Sequence, residues 1–226
     1  VGTEEFALVR DSNDYKLDEG AFDNFIDEDA FLMDLEKALT MGSFAPSFDK
    51  FKEALIYANP ISIITARGHE PVVLRKGMDL VISHTFTEEE LGRMIDNIQQ
   101  TYPELDGQEP GVILKTYLDS HEYHPVTSQR FTDKFGLEGG SAANPEENKK
   151  IALRDYVTNI VSKASQMVNM GNKKLSVGFS DDDLGNINAI IPFIKEVLQV
   201  EFPDVDFIVY DTSEGGMNKI VLKQVN

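Results

Sequence analysis

The sequence predicts an α/β fold, a mostly parallel sheet with helices on both faces. Short, nearly all-apolar runs at 61–65, 175–179 and 207–210 have the composition of strands buried on both faces. Segments with apolar residues at helical spacing alternate with these runs, the pattern of layered α/β proteins. The first two runs also end in polar and charged residues, and ligands in such sheets bind beyond the carboxyl ends of the strands.

The elements follow in order. Residues 4–9 read as a short strand, Ser12, Asn13 and Asp14 supply turn chemistry, and 15–17 read as the return strand of a hairpin. Residues 18–29 form an acidic loop with Phe and Ile anchors. Phe31, Leu32, Leu35, Ala38 and Leu39 recur at helical spacing. Ser47 is the expected N-cap of a second helix striped by Phe48, Phe51, Ala54, Leu55 and Ala58, which Pro60 ends. The strand 61–65 follows, then a short helix within 70–82. Thr87 and Glu90 form the capping box of a helix reaching Thr101. A loop at 103–111, a helix at 112–119 and a strand at 123–128 come next, then a glycine-rich connector at 135–143. Asn144, Pro145 and Glu147 have the form N-cap, N1 and N3 of a helix whose stripe includes Leu153, Val157 and Ile160. The chain closes with a strand at 175–179, a helix at 184–200, a strand at 207–210 and a final strand within 219–225. The strands 61–65, 175–179 and 207–210 are expected to neighbour one another in one parallel sheet, with Thr65 and Asp181 at the same edge.

A chain of 226 residues buries a sizeable core without a disulfide or structural metal. Its 21 basic and 39 acidic residues give a net charge of −18. A surface that acidic repels nucleic acid and anionic membrane, so neither is an expected partner. With no cysteine, disulfides, thiolate metal sites and cysteine nucleophiles are excluded. The longest apolar runs fall far short of the roughly 20 residues of a membrane span. The sequence carries no signal-peptide pattern, and the expectation is a soluble, cytoplasmic chain. It begins at Val1 rather than Met, which reads as removal of something upstream.

Three stretches carry chemistry. Thr65 ends the first apolar strand and is followed by Ala66, Arg67, Gly68 and His69. Asn148, Lys149 and Lys150 lie near the start of a helix, and Asp181, Asp182 and Asp183 follow a buried strand with Asn186 close behind. Adjacent carboxylates repel one another, so a cation must balance them. Carboxylates together with phosphate oxygens suit Mg²⁺, which keeps waters and takes few protein ligands. Each group has a plainer reading. The aspartates suit a helix N-cap and first turn, Thr65 an ordinary strand position, and the lysines a solvated helix surface. Arg67 and His69 could touch substrate or pair with surface carboxylates. His84, His121 and His124 show no metal-ligand spacing.

Taken in order, these stretches resemble the haloacid-dehalogenase-like superfamily of phosphotransferases. Residues 61–65 look like its second motif, an apolar strand ending in Thr or Ser. Residues 148–153 look like its third, a lysine near a helix start. Residues 177–186 look like its fourth, an apolar strand ending in paired aspartates with an Asn a few residues on. The resemblance covers roughly 50–85 and 144–212. It implies a Rossmann-like sheet in a single domain over 1–226, with 83–140 as an inserted, helical, cap-like elaboration. It also implies Mg²⁺ held by Asp181 and Asp182, Thr65 donating to a phosphoryl oxygen, and Lys149, or alternatively Lys150, neutralising phosphoryl charge. Arg67 and Asn186 become candidate substrate-binding groups. The implied activity is Mg²⁺-dependent phosphoryl transfer from a small phosphorylated substrate or a phosphorylated end of a larger one.

The family's first motif, a central apolar strand followed by Asp-x-Asp, is not intact here. Its first aspartate is the nucleophile and its second the general acid and base. Three readings stand. In the preferred one, residues 4–17 are the hairpin flap that follows this motif, and the motif itself lies upstream of Val1. In the second, Asp11 is a degenerate nucleophile, with Asn13, which cannot carry a proton, in the acid's place. In the third, the chain is a catalytically dead relative. The preferred reading makes this chain inactive alone and leaves two strands flanking an unfilled slot. The competing functional class is a non-catalytic binding or assembly module with a protein partner, such as a processed component of a larger, for instance viral, particle.

Overall fold

A computed structural model of the chain describes residues 27–137, 144–166 and 174–223. The expected strands at 4–9 and 15–17, and Asp11 and Asn13, lie outside the described residues. The architecture is mixed α/β.

Helix α1, Glu28–Met41, starts at Asp27, whose carboxylate accepts from the Ala30 N–H at 2.9 Å, and stops at Gly42 with φ 68°. Such a left-handed C-cap is inexpensive only for glycine. Helix α2, Phe48–Ile56, follows Ser47, and here the expected side-chain cap is absent. The Ser47 hydroxyl instead lies 2.9 Å from the Ser180 hydroxyl, across the molecule. Strand β1, Ser62–Thr65, leads to α3, Pro71–Thr85, with proline at its first turn. The capping box forms as expected at the start of α4, Glu88–Thr101. Helix α5, Pro110–Asp119, strand β2, Glu122–Pro125, and α6, Gln129–Phe135, complete the middle of the chain. Helix α7, Pro145–Gln166, precedes strand β3, Leu175–Asp181. Helix α8, Leu184–Phe193, continues through a π-helical turn, Ile194–Leu198, to Gln199–Glu201. Pro192 inside α8 lacks the N–H that an unbroken α-helix needs, and the turn beyond it has the wider spacing. Strands β4, Val205–Asp211, and β5, Asn218–Leu222, end the described chain.

The expected single sheet is two sheets among the described residues. β1 pairs with β2 in parallel, and β3, β4 and β5 form a second sheet with β5 antiparallel. The expected pairing of 175–179 with 207–210 is present, with Phe179 opposite Val209, whereas β1 does not pair with β3. Nor is β3 buried on both faces. Val177 and Phe179 are buried, while Ser176, Gly178 and Ser180 on the other face are exposed.

Helix α7 splints the two sheets. At its start, Asn148 Nδ2 donates to the Val126 carbonyl just past β2 at 2.8 Å, and Lys149 reaches Asp181 at the end of β3. Further along, Tyr156 donates to the Pro60 carbonyl before β1 at 2.8 Å, and Asn159 donates to Glu122 at the start of β2 at 3.1 Å. The first turn of α7 therefore meets carboxyl ends and its later turns meet amino ends. This makes β1, β2, β3 and β4 all parallel and puts Thr65 and Asp181 at ends of the same sense. Leu153 and Val157 of α7 share one core cluster with Val177, Phe207 and Ile190, and Ile64 of β1 packs against it. A second cluster, around Leu55, Met94, Ile98 and Tyr117, lies on the opposite face of β1, where Ile61 and Ile63 point. Among the described residues, no helix is long and apolar enough to cross a membrane.

Candidate functional site

The carboxyl ends of β1 and β3 hold the residues that the sequence singles out. Asp181 is the last residue of β3. Lys149 Nζ lies 2.8 Å from its Oδ2, with both side chains only 9% exposed. Its Oδ1 accepts from Asn186 Nδ2 at 3.0 Å and from the Asp183 N–H at 3.0 Å. The Asp181 carbonyl is taken by Thr212, through its hydroxyl at 3.0 Å and its N–H at 3.1 Å. Asp181 is thus fixed from several directions before any ligand arrives.

The neighbouring aspartates divide by role. Asp183 is the N-cap of α8, accepting from the Asn186 N–H at 3.1 Å, so the plainer reading holds for this one residue. Asp182 is exposed. Gly185 is held close, for a Cβ there would sit 2.8 Å from Asp183 Oδ1 and 3.7 Å from Glu146 Oε1. The first turns of α7 and α8 therefore meet beside the aspartates. Of the two lysines, Lys149 is the one that turns toward Asp181, and Lys150 pairs with Glu147 at 2.6 Å.

At the end of β1, the Thr65 hydroxyl accepts from the Arg67 N–H at 3.3 Å, and the Thr65 carbonyl accepts from Val126 N–H at 2.8 Å. Arg67 lies over the Phe31 ring, 5.4 Å from its centroid, and burial lowers its pKa against the pull of Asp34. His69 is almost fully buried, packs 4.9 Å from the same ring and meets the Asp27 carbonyl at 3.1 Å. Burial lowers its pKa as well, and it is a core contact to the start of α1.

Sequence reasoning named Asn148 beside Lys149 without giving it a role, and it missed Thr212 and a separate carboxylate–histidine cluster. Asn148 and Thr212 are buried and tie the site to β2 and to the loop after β4. Their only sequence signal is polarity close to a motif. Glu122, His124 and Asp155 form a separate cluster whose ligand atoms lie within 4.8 Å of one another. Alternation along β2 puts Glu122 and His124 on one face. The cluster is largely self-satisfied, with Glu122 accepting from His124 at 2.9 Å and from Asn159, and Asp155 paired with Lys134 at 2.7 Å. Burial pushes the Glu122 carboxyl up, and those hydrogen bonds more than offset it, leaving it below the usual range.

The arrangement sets an exposed carboxylate, Asp182, beside the buried Lys149–Asp181 pair, with the Thr65 hydroxyl at a strand end of the same sense. No known family matches the chain, and neither a curated protein nor a solved structure matches it.

Proposed function

We propose that this chain is a haloacid-dehalogenase-like phosphohydrolase module, Mg²⁺-dependent, acting on a small phosphorylated molecule or a phosphorylated end of a larger one. The observation that carries the reading is the Lys149–Asp181–Asn186 cluster at the carboxyl end of β3, with Asp182 beside it. The donor set fits Mg²⁺, because Asp182 is an exposed carboxylate and Asp181 a fixed one, and this ion is held through one or two carboxylates with waters retained. Asp182 and Asp181 are the residues that would hold the ion, and it would supply charge stabilisation for phosphoryl oxygens. Lys149 presents a point positive charge and Thr65 a hydroxyl, both suited to non-bridging phosphoryl oxygens. Asn186 orients Asp181. A Rossmann-like sheet is the finer reading of the fold. It is supported by the common direction of β1 to β4, and it requires one further strand between β1 and β3.

Inorganic phosphate, titrated with and without Mg²⁺, tests this reading. Binding should need Mg²⁺ and should weaken about tenfold or more in Lys149→Gln and in Asp182→Asn, the worth of one charge-assisted contact. Phosphate binding that ignores both substitutions, or none in the wild type, overturns it.

A further inference from the structure

A cleft of about 1210 Å³ separates the two sheets. Its lining identifies what it is. β1 and the residue before it contribute Ile61, Ser62, Ile63 and Ile64, and β3 contributes every residue from Leu175 to Ser180. β4, behind β3, contributes only Ile208 and Tyr210. A strand turning a face to a cavity lends it alternate residues, as β4 does, whereas consecutive residues mean that an edge is turned to it.

The hydrogen bonds agree. The Ile61 and Thr65 carbonyls are taken from the β2 side, by the Glu122 and Val126 N–H groups, and the Asp181 carbonyl is taken by Thr212 beyond β4. Backbone groups alternate sides along a strand. The groups of Ser62 and Ile64 therefore point into the cleft from one wall, and those of Ser176, Gly178 and Ser180 from the other. Among the described residues, no strand pairs with either edge. The Ser62 hydroxyl, also in the wall, is buried without a hydrogen-bond partner. Buried polar groups are rarely left so, and paired edges are the usual remedy for strands.

We propose that this cleft is a strand acceptor, which takes an extended peptide segment from a separate polypeptide, parallel to β1 and β3, and joins the two sheets into one. The chemistry of the occupant follows from the walls. The backbone edges demand an extended main chain, because only alternating N–H and C=O groups pair with both sides at once. Leu153, Tyr156 and Ile160 of α7 lie on one side of the slot, and Phe48, Phe51 and Ala54 of α2 on the other. Apolar groups on both sides select a continuous apolar, β-branched run rather than an alternating one. With four residues in β1 and seven in β3, the segment is about six residues long. Parallel insertion carries its carboxyl end out beside Thr65 and Lys149. The parallel direction, and with it this last point, rests on the phosphohydrolase reading.

The test uses the full chain and a fluorescein-labelled peptide of six Val and Ile residues flanked by Gly and Ser, without Mg²⁺ or phosphate. Saturable binding is expected, weakened about tenfold or more when alternate peptide nitrogens are methylated. Hydrogen exchange should slow at the Ser62, Ile64, Ser176, Gly178 and Ser180 amides together. No saturable binding, equal binding of the methylated peptide, protection on one strand only, those five amides already protected in the free chain by a segment of its own, or a cleft closed by a second copy so that the chain sediments as a dimer and takes no peptide would each overturn the proposal. Because neither Mg²⁺ nor phosphate is present, this result stands or falls apart from that of the phosphate titration.

Discussion

Lys149 and Asp181 form a 2.8 Å ion pair between the first turns of α7 and the carboxyl end of β3, with each side chain 9% exposed. It links a helix that spans both sheets to the strand end that carries the acidic run. Removing one member strands the other charge in a place water barely reaches. Lys149→Gln should therefore destabilise the fold by about 3 kcal/mol in urea denaturation. Lys149→Gln combined with Asp181→Asn should cost clearly less than the sum of the single changes. Additive losses would mean that the two side chains are not coupled.

His121 gives the fold an acid-side weakness. It is 7% exposed, neither ring nitrogen has a partner, and it packs edge-on to Tyr117. Burial, aided by Arg75 and Lys163, pushes its pKa down to about 4. The unfolded chain then takes up the proton first, so stability falls from about pH 6.5 down to about pH 4, by up to roughly 3 kcal/mol. His121→Phe should flatten the stability profile in that window, and an unchanged slope would assign the loss to other groups.

The capping box at α4 acts in a lower window. Hydrogen bonding from Lys52, then from the Thr87 N–H, draws the Glu90 carboxyl down to about 2. Its contribution is present above the usual carboxylate range and is lost as pH falls toward 2. Thr87→Ala, which removes the other half of the box, should cost about 1 kcal/mol in thermal or urea denaturation at neutral pH. A change within about 0.3 kcal/mol would show that α4 is held by its packing alone.

Residues 1–226 alone should hydrolyse an aryl phosphate with Mg²⁺ no faster than the chain carrying Asp181→Asn and Asp182→Asn. Among the described residues, the Asp-x-Asp that follows β3 is occupied structurally, because Asp181 is paired with Lys149 and Asp183 caps α8, and neither is left as a nucleophile or a general acid. Losing a proton-transfer group alone costs about 10²–10⁴ in rate. Turnover by the unmodified chain that Asp11→Asn abolishes would make Asp11 the nucleophile and refute the reading of 4–17 as a flap.

Local signals were readable from sequence where one residue type settles the geometry. The Thr87–Glu90 box and the stripe of α7 stand where the sequence placed them. Ser47 stands at the N-cap position as expected, but its hydroxyl goes to Ser180, 133 residues away, rather than to the helix N–H groups, a choice no local pattern shows. Sheet membership misled. Apolar continuity at 61–65 marks a strand among apolar neighbours, but does not say that its second backbone edge has a partner. At the site, polarity at a strand end picked out Asp181, and position near a helix start picked out Lys149. Asn148, through one hydrogen bond, and Thr212, through two, act across long sequence separations, which no local pattern encodes.

Paramagnetic relaxation locates the metal and phosphoryl site proposed at the ends of β1 and β3. Mn²⁺, standing in for Mg²⁺, added in substoichiometric amounts to ¹⁵N-labelled chain with inorganic phosphate, should broaden first the amides of Asp181, Asp182, Asn186, Lys149 and Thr65. Asp182→Asn should remove that broadening. Broadening centred instead on Glu122, His124 and Asp155, or spread evenly over the acidic surface, would contradict the account.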